Sequence, residues 1–493
     1  MPPSLATFLT FAFITALFAW DARRNRDASR ALWLPLLWMS ITASRFPSQW
    51  LQLGDPSATA SVVEGNSLDA TCFGLLILVG GIVLVRRAVG FADLLRENAW
   101  LIAFAAFGLV SVLWSDFPFI ALKRWIKALG HPIMALIILT DPNPAAALRI
   151  VLRRCAFLLL PTSVLFIKYL PEYGRGFDPW TGAGVSFGVT LTKNDLGYVC
   201  MVLGLFFLWN ILNYKKMDDA RARREELALS LFFMAMIVWL LGAANSATSL
   251  ATFVIGASIM IGLRTRLVSK RRLGTYAVVA AAIVLGTEAL FDIHERLVAM
   301  LGRNVTLTDR TELWADVLAL QANALVGAGF ESFWLGWRLD ELWAKWWWRP
   351  NQAHNGFIEI YLNLGVIGII LFAALLVATF RKIAASFAAG AELAELRLAL
   401  FGAILAHNYT EATFKGVHLL WTIFHVVALD YRRAEAIAPG QADNVRGRWP
   451  RRSTRSGQLP KQALGRPEPR SADIGNEPTA APRTMRRVRA ARQ

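Results

Sequence analysis

Charged residues are scarce in this chain. Only 18% of its 493 residues are Asp, Glu, Lys or Arg, whereas 55% are hydrophobic. A soluble protein of this length can bury a large core, but it does not need many apolar runs of about 20 residues, the length of helix that crosses the hydrocarbon layer of a bilayer. Helices also keep their backbone polar groups hydrogen-bonded inside lipid. The composition therefore predicts an all-α fold, a polytopic transmembrane helical bundle.

Other features that would indicate a specific chemistry are rare or missing. Cys72, Cys155 and Cys200 fall in or beside apolar segments without CxxC spacing, so they predict neither a metal site nor a redox compartment. No nucleotide-binding glycine motif is present, so energy from cytosolic ATP is not expected, and no cofactor is implied. The first apolar run, residues 5–20, has no basic segment before it and no small-residue cleavage site, which favours a retained helix.

The net charge of +17 is concentrated near the C-terminus. Residues 431–493 contain 15 Arg and Lys against 5 Asp and Glu. Apart from Trp449, no aromatic residue interleaves the Arg pairs of this tail, so nucleic acid is not an expected partner. Because the tail also lacks apolar periodicity, we expect a disordered basic cytoplasmic segment that contacts membrane lipids or a partner enzyme.

The apolar runs predict about twelve to thirteen spans. They lie near residues 5–20, 31–51, 69–85, 98–114, 119–140, 152–170, 195–213, 227–243, 247–263, 274–291, 356–380, 397–412 and 416–430.

Arg and Lys are concentrated in alternate loops between these runs, as the positive-inside rule requires of cytoplasmic loops. With thirteen spans, this rule places the N-terminus outside and the basic tail inside. The chain is then predicted to have four parts. They are an N-terminal transmembrane bundle (1–291), a large outer loop (292–355), C-terminal transmembrane helices (356–430) and the tail (431–493).

His354 lies where the outer loop re-enters the membrane, directly before Asn355 and an apolar helix. An imidazole with a pKa of about 6.5 can act as a general base at neutral pH. The structural alternative is that the two residues are polar groups at a helix N-terminus, with Asn355 as the N-cap. The local sequence leaves both interpretations open.

Arg303 and Arg310 flank a short polar segment of the same loop. A guanidinium group binds phosphate oxygens as a fork and stays protonated at every physiological pH. The alternative is that both residues form ordinary salt bridges with Asp309, Glu312 or Asp316.

Six tryptophans lie between residues 330 and 348, and Trp334 is the first of them. The surrounding residues follow helical spacing with charged side chains on another face, which predicts an amphipathic helix in the membrane interface. A platform on which sugar rings stack is the second interpretation, and the two are compatible.

Other candidate residues lie at the outer boundary of a predicted span or inside an apolar segment. Arg175 lies in the outer loop 171–193, and Lys193 and Asn194 begin a span from outside. Lys193 is therefore a residue that extends to the interface or a phosphate ligand. Glu411 lies in an apolar segment, where a polar group indicates function or helix–helix hydrogen bonding.

Several short motifs occur in a characteristic order. They are Arg310-Thr-Glu-Leu-Trp314, Gly327-Ala-Gly329-Phe330, His354-Asn355-Gly356 and Leu364-Gly365-Val366-Ile367-Gly368. Together they resemble the O-antigen ligase/polymerase superfamily. Three more are similar to its exopolysaccharide-polymerase branch, namely Leu113-Trp114-Ser115 with Pro118, Lys193-Asn194-Asp195-Leu196-Gly197 and Asn408-Tyr-Thr-Glu411. The resemblance covers about residues 100–430. The chain departs from it at Thr192, where relatives often have His.

The resemblance implies a multi-pass enzyme of the bacterial inner membrane whose active site faces the periplasm. It also implies metal-independent glycosyl transfer from a polyprenyl-diphosphate-linked oligosaccharide, with polysaccharide export or chain-length proteins as partners. Arg310 and His354 are the expected catalytic residues, since Arg310 would hold the diphosphate and His354 would orient or deprotonate the acceptor hydroxyl. The expected substrate-binding residues are Arg303, Lys193, Asn194, Arg175, Asn355, Trp334 and Glu411.

Three other functions compete with a polymerase. A ligase of the same superfamily would transfer the finished glycan to lipid A–core, and acceptor choice depends on the shape of the cavity rather than on short motifs. A transporter without chemistry would show paired inverted repeats, and the sequence has no such symmetry. A structural scaffold would not account for Arg310 and His354 on one outer loop.

Overall fold

The computed structural model describes residues 1–53, 65–178, 182–216, 219–266, 268–269, 272–276, 278–279 and 310–431. Several predictions fall outside these residues. They concern Arg303, most of the predicted span 274–291, the first part of the outer loop, and the basic tail beyond residue 431.

Helices form almost all of the regular structure in the described residues, which confirms the predicted all-α fold class. The α-helices are α1 (Pro3–Arg24), α2 (Trp33–Thr42), α3 (Pro47–Trp50), α4 (Ser67–Arg86), α5 (Phe91–Glu97), α6 (Ala99–Val110), α7 (Pro118–Ala128), α8 (Gly130–Leu139), α9 (Pro144–Tyr169), α10 (Pro171–Gly174), α11 (Lys193–Asn213), α12 (Ala220–Ala244), α13 (Ala247–Gly262), α14 (Arg310–Ala319), α15 (Trp337–Lys345), α16 (Gly356–Ala388), α17 (Ala394–Thr410) and α18 (Leu419–Ala428). Short 3₁₀ helices lie at Arg30–Leu32, Ser111–Trp114 and Tyr214–Lys216. Strands β1 (Arg175–Phe177) and β2 (Gly184–Ser186) pair antiparallel, with Gly176 opposite Val185.

Six of the described helices are long and apolar enough to cross a membrane, namely α1, α4, α9, α11, α12 and α16. A seventh span results if α5 and the helical segment Ala99–Trp114, which meet at a 98° bend, are counted together. The remaining predicted spans coincide with shorter helices, such as α7 with α8 for residues 119–140 and α13 for residues 247–263, or lie outside the described residues. Length and composition alone therefore support fewer complete spans than the twelve to thirteen predicted.

Several helices begin at residues whose side chains cap them. Thr192 and Asp195 form a reciprocal capping box at the start of α11, and the side chains of Asp219 and Ser246 accept backbone N–H groups at the starts of α12 and α13. Such side chains replace the hydrogen bonds that the first turn of a helix lacks. The predicted N-cap at Asn355 is confirmed, because its Oδ1 accepts hydrogen bonds from the backbone of Phe357 and Ile358.

The helix termini define two ends of the bundle. At one end, called here the Glu411 end, α11 and α13 begin near the C-terminus of α17. The hydroxyl oxygens of Thr248 and Thr410 are 3.4 Å apart there. At the other, the arginine end, α11 is followed by Lys215 and Lys216, and α12 begins with Arg221. Because α12 has 25 residues, a rise of 1.5 Å per residue separates the two ends by about 36 Å.

Helix α16 is broken at Gly365, whose φ of 64° and ψ of −164° are not helical. The freed backbone groups on either side of the break bond to an inserted loop, residues 324–329. Val366 N–H donates to the Ala324 carbonyl at 2.9 Å, and Gly329 N–H donates to the Asn363 carbonyl at 2.9 Å. A Cβ on Gly365 would lie 2.3 Å from the Leu325 carbonyl carbon, so the close approach of the two backbones requires glycine there.

The segment before α7 also binds the loop 324–329. The indole N–H of Trp114 donates to the Val326 carbonyl at 3.2 Å, and the hydroxyls of Ser115 and Ser332 are 2.7 Å apart. The motifs around Trp114, Gly327 and Gly365 therefore meet in one structural junction. Next to it, residues of the predicted outer loop form a separate small core that includes Leu313, Phe333, Trp334, Leu339 and Trp346.

A buried ionic network joins three helices at the arginine end. Arg153 of α9 donates to both carboxylate oxygens of Glu226 on α12, at 2.9 and 3.0 Å. Arg154 donates to Asp21 of α1 at 2.7 Å, and Asp21 also lies 3.4 Å from Arg153. All four side chains are at most 8% exposed. Such charges are stable in the interior only while each keeps its partner.

We expect Glu226→Gln to lower the free energy of unfolding by about 3–5 kcal/mol, because it leaves the Arg153 charge buried without its main partner. The neighbouring Glu225 is a matched control, since its side chain is 37% exposed and pairs with Arg24 and Arg221 at the surface. Glu225→Gln should cost less than about 1 kcal/mol. Thermal unfolding of the purified variants in detergent measures both, and equal destabilisation by the two substitutions would contradict the proposed difference.

Candidate active site

The carboxylate of Glu411 brings together side chains from four separate parts of the chain. Its Oε1 accepts hydrogen bonds from Asn194 at 2.9 Å and from Arg310 at 3.0 Å, while its Oε2 lies 3.0 Å from His354 Nδ1. Asn194 is in the first turn of α11, Arg310 begins α14, His354 precedes α16, and Glu411 directly follows α17. Four of the predicted site residues therefore form one hydrogen-bonded cluster.

The guanidinium group of Arg310 is held at two points. One terminal nitrogen donates to Glu411, and the other makes a short hydrogen bond to the carbonyl oxygen of Thr410. A guanidinium carries five N–H donors, so this arrangement leaves donors for a ligand. The side chain is 14% exposed, which restricts a ligand to one direction of approach. The pairings with Glu312 and Asp316 considered from the sequence do not occur in the structure, where Asp316 instead binds Lys345 and Trp346.

His354 has a left-handed backbone conformation, with φ at 50°. This conformation is uncommon outside glycine, although His, Asn and Asp adopt it more often than other residues. Its Nδ1 faces Glu411, and an ionised carboxylate only accepts hydrogen bonds, so Nδ1 carries the proton. In the neutral imidazole, Nε2 is then the free acceptor. The side chain is 22% exposed, and its ring centroid lies 5.9 Å from that of Trp348.

Two opposing effects act on the ionisation of Glu411, which lies in the loop after α17. Burial alone would raise the pKa of its carboxyl group, but the Arg310 charge and the hydrogen bond from His354 outweigh burial and lower the pKa to about 2. The carboxylate is therefore charged at neutral pH and compensates a positive charge on Arg310 or on His354.

Neighbouring residues fix the cluster without contacting Glu411. Ser246 donates a hydrogen bond to Asn194 Oδ1 at 2.9 Å, so the Asn194 amide must direct its N–H toward Glu411. The Asn355 amide donates to the Tyr409 carbonyl at 3.1 Å while its oxygen caps α16. Ser246 was not predicted from the sequence. The sequence feature that could have indicated Ser246 is the polar pair Asn245-Ser246 between two apolar runs.

The turn that carries Glu411 is built on Asn408, which is fully buried. Its Oδ1 accepts hydrogen bonds from the backbone of Thr413 and Phe414 at 2.9 and 3.0 Å. Its amide donates to the Thr413 hydroxyl at 2.7 Å. These bonds fold the chain back directly after α17 and set the position of Glu411.

Three other described residues of the predicted site, Lys193, Arg175 and Trp334, make no contact with Glu411. Lys193 pairs with Asp178 at 2.5 Å. Arg175 is exposed on β1. Trp334 is only 6% exposed, and its indole N–H donates to both carboxylate oxygens of Glu359 at 3.0 Å. The backbone N–H of Ala353 also donates to Glu359, at 2.7 Å. In this structure Trp334 therefore supports Glu359 and, through it, the backbone of Ala353.

In the described part of the chain, no group of three or more His, Cys, Asp or Glu side chains is arranged to hold a metal ion. The cluster instead combines a guanidinium, an imidazole and a carboxylate. These groups can bind an anion, accept a proton and compensate the charge that results.

Two known proteins or families match parts of this chain. Residues 229–373 match the family model described as O-antigen ligase. The chain is also 27% identical over 294 residues to the exopolysaccharide production protein ExoQ of Rhizobium meliloti (strain 1021). That match covers 57% of this chain and 64% of the relative, somewhat less than two thirds of its length.

The apolar helices and the family match define a multi-pass membrane protein. Both matches agree with the resemblance to the O-antigen ligase/polymerase superfamily that the motifs of this chain indicated.

We expect Asn408→Leu to destabilise the turn that carries Glu411, because two buried backbone N–H groups would lose their acceptor at about 1–3 kcal/mol each. Asn213→Leu is a control, since the Asn213 amide donates only to the Trp209 carbonyl of its own helix. Thermal unfolding in detergent should show a markedly lower midpoint for the Asn408 variant alone. Unchanged stability would mean that the turn does not depend on this side chain.

Proposed function

We propose that the protein is a polysaccharide polymerase. It transfers a glycan chain from a polyprenyl-diphosphate carrier to a lipid-linked repeat unit in exopolysaccharide or O-antigen biosynthesis. The observation that carries the proposal is the placement of Arg310 and His354 on the two oxygens of one buried carboxylate, each at 3.0 Å. One of these groups suits a diphosphate leaving group, and the other suits the acceptor hydroxyl.

The position of the cluster supports a site on the periplasmic side of the bacterial inner membrane. The cluster lies at the Glu411 end, opposite the loop that contains Lys215, Lys216 and Arg221. Basic loops face the cytoplasm in multi-pass membrane proteins. A lipid carrier would thus present its diphosphate at the outer membrane–water boundary, beside α11, α14 and α16.

In the proposed reaction, the acceptor hydroxyl oxygen attacks the anomeric carbon of the donor glycan. The bond from that carbon to the diphosphate oxygen breaks, and its electron pair leaves with the diphosphate. The N–H groups of Arg310 that neither Glu411 nor Thr410 occupies bind this leaving group and stabilise its growing charge. Cleavage of the bond between the glycan and the diphosphate supplies the free energy, so no nucleotide is needed.

The proton of the acceptor hydroxyl passes to Nε2 of His354. Glu411 orients the ring through Nδ1 and compensates the imidazolium charge that forms. Asn194 holds the same carboxylate in place, and Asn355 positions His354 as the cap of the next helix. Lys193, Arg175 and Arg303 are further proposed contacts to the diphosphate. Trp334 is not proposed as a glycan contact, because it is buried against Glu359.

The second candidate function is an O-antigen ligase, which the matching family model names. A ligase would use the same donor and leaving group but a lipid A–core acceptor. The cluster around Glu411 serves both reactions equally, and the acceptor distinguishes them.

We expect His354→Ala to abolish long glycan chains in cells, because the acceptor hydroxyl loses its base. Accumulation of single repeats on the lipid carrier, or their appearance at the surface, would support a polymerase. Long chains that persist on the carrier would support a ligase. The measurement is the glycan profile by electrophoresis, compared with wild type and a deletion strain at equal membrane abundance.

His354→Asn separates proton transfer from support of the fold, because Asn also adopts the left-handed backbone conformation found here. Its amide can still donate to Glu411 but cannot accept a proton, so it should retain wild-type thermal stability and lose chain elongation. A wild-type glycan profile in both His354 variants would remove this residue from the mechanism.

We expect Arg310→Lys to lower the transfer rate by about 10- to 100-fold, since a lysine cannot bind Glu411, Thr410 and the diphosphate at once and a charge-assisted hydrogen bond contributes about 1.5–3 kcal/mol. Arg349→Lys is the matched control, because Arg349 is exposed in the same loop and contacts the ring of Trp343. Transfer is measured in proteoliposomes with a lipid-linked donor. Equal rates for the two variants would contradict the role of Arg310.

A further inference from the structure

The segment between α15 and α16 begins with three consecutive tryptophans and leads directly to His354. Trp346 is only 6% exposed and belongs to the small core of the outer loop, whereas Trp347 is 64% exposed. Trp348 is intermediate, since it is partly buried against the same core. Its ring centroid lies 5.9 Å from that of the His354 imidazole, and the two ring planes are inclined by 50°. The proposed reaction does not use this ring.

The Trp348 ring is held in place by Trp346. The two rings pack edge to face, with their centroids 6.0 Å apart. Trp346 is itself fixed, because its indole N–H donates to Asp316 at 3.0 Å and its backbone N–H donates to the Leu342 carbonyl at 2.8 Å. Trp348 therefore has a defined position beside His354.

The backbone between the two rings is also constrained. Arg349 and His354 both have left-handed conformations, with φ at 51° and 50°, which residues other than glycine seldom adopt. The indole N–H of Trp314 holds the end of this stretch, donating to the Ala353 carbonyl at 2.7 Å. Such backbone strain persists only where the surrounding structure enforces it, and it is concentrated at functional sites. The distance between the indole and the imidazole is therefore set by the fold.

The surface formed by these two rings suits a sugar. In the proposed reaction the acceptor hydroxyl lies against Nε2 of His354, so the sugar that carries it must lie beside the imidazole. The C–H groups on one face of a sugar ring carry partial positive charges, which are attracted to the negative face of an aromatic ring. The indole is the largest aromatic ring system among the side chains. One sugar can therefore stack on Trp348 while its hydroxyl contacts His354.

Sugar hydroxyls also require hydrogen-bond partners, and the same segment offers them. Asn351 is exposed and Gln352 is partly exposed. Neither side chain forms a hydrogen bond with another residue in the described part of the chain. An amide provides both donors and acceptors, as a hydroxyl group does. Binding sites for small molecules commonly combine aromatic rings with a few such polar groups.

We propose that Trp348 binds the acceptor glycan. A sugar ring of the acceptor stacks on the indole and thereby presents a hydroxyl to Nε2 of His354, while Asn351 and Gln352 bind further hydroxyls of the same glycan. This acceptor site rests on the proposed function, because the proposed function assigns the acceptor to His354.

Binding of the acceptor is measured without turnover. The probe is the oligosaccharide of one repeat unit, released by mild acid from the lipid carrier of the deletion strain and labelled with a fluorophore at its reducing end. It has no diphosphate, so it lacks the group that the donor site recognises. Fluorescence anisotropy with the purified full chain in detergent gives its dissociation constant. A second probe, the core oligosaccharide released from lipid A and labelled in the same way, represents the acceptor of a ligase.

Trp348→Ala should raise the dissociation constant about tenfold, as the loss of a central aromatic contact does. Trp348→Phe keeps a ring and should bind more tightly than Trp348→Ala. Trp347→Ala is the matched control, because Trp347 is the exposed neighbour, and it should bind as the wild type does. If Trp348→Ala does not fold, Trp348→Leu replaces it, since leucine keeps apolar volume without an aromatic face. Wild-type affinity in the folded variant, or no binding of either probe to the wild type, would overturn the proposal.

The transfer assay in proteoliposomes separates this proposal from the proposed function. Trp348→Ala should raise the KM for the acceptor with little change in kcat. A lower kcat at unchanged acceptor KM would mean that the ring only positions His354, and would contradict acceptor binding. Binding that depends on Trp348 without any transfer would remove the polymerase function and keep the acceptor site. Such binding of the core oligosaccharide alone would keep the site and identify a ligase.

Discussion

A buried carboxylate is unfavourable unless positive charges and hydrogen-bond donors surround it, and the Glu411 end of this protein is organised by that requirement. Glu411 is 7% exposed and takes its partners from Asn194, Arg310 and His354. None of these lies on its own helix, so the carboxylate can be stable only when α11, α14 and the residues before α16 have converged. The same partners are the groups that diphosphate binding and proton transfer require. Folding and the proposed chemistry therefore depend on one set of contacts.

The broken helix α16 supplies the second constraint. A continuous helix would satisfy its own backbone, whereas the break at Gly365 leaves groups that only the loop 324–329 satisfies. The loop thereby becomes part of the helical bundle and holds the polypeptide that leads to α15 and His354 against the membrane-spanning part. Gly327 is as constrained as Gly365, since a Cβ there would lie 2.3 Å from the Asn363 carbonyl carbon. The glycines in the motifs near these positions are thus explained by backbone contact rather than by catalysis.

The sequence alone predicts features that depend on residues close together in the chain. Apolar run length predicts the all-α class, and Asn355 is recognisable as an N-cap from its place before an apolar helix. Pairings across long separations were not predictable from residue pattern, since Asn194 and Glu411 are 217 residues apart. For Trp334, the sequence predicted an amphipathic helix in the membrane interface and, as a second interpretation, a platform for sugar rings. The structure places Trp334 before α15 and buries its ring in the small core of the outer loop, where its N–H donates to Glu359. The predicted number of spans exceeds the number of long apolar helices in the described residues partly because runs such as 119–140 are divided, here into α7 and α8.

The two ends of the bundle are mechanically connected through α12. One end of this helix carries Glu226, which is fixed by Arg153, and the other leads to Ser246, which orients Asn194 beneath Glu411. A hydrogen-bonded helix changes little in length, so the ionic network at the arginine end limits axial sliding of Ser246 relative to α1 and α9, which carry Asp21, Arg153 and Arg154. Catalytic groups lose much of their effect when displaced by about 1 Å. A network about 30 Å away, the rise from Glu226 to Ser246 at 1.5 Å per residue, therefore contributes to the geometry of the candidate active site without contacting any of its residues.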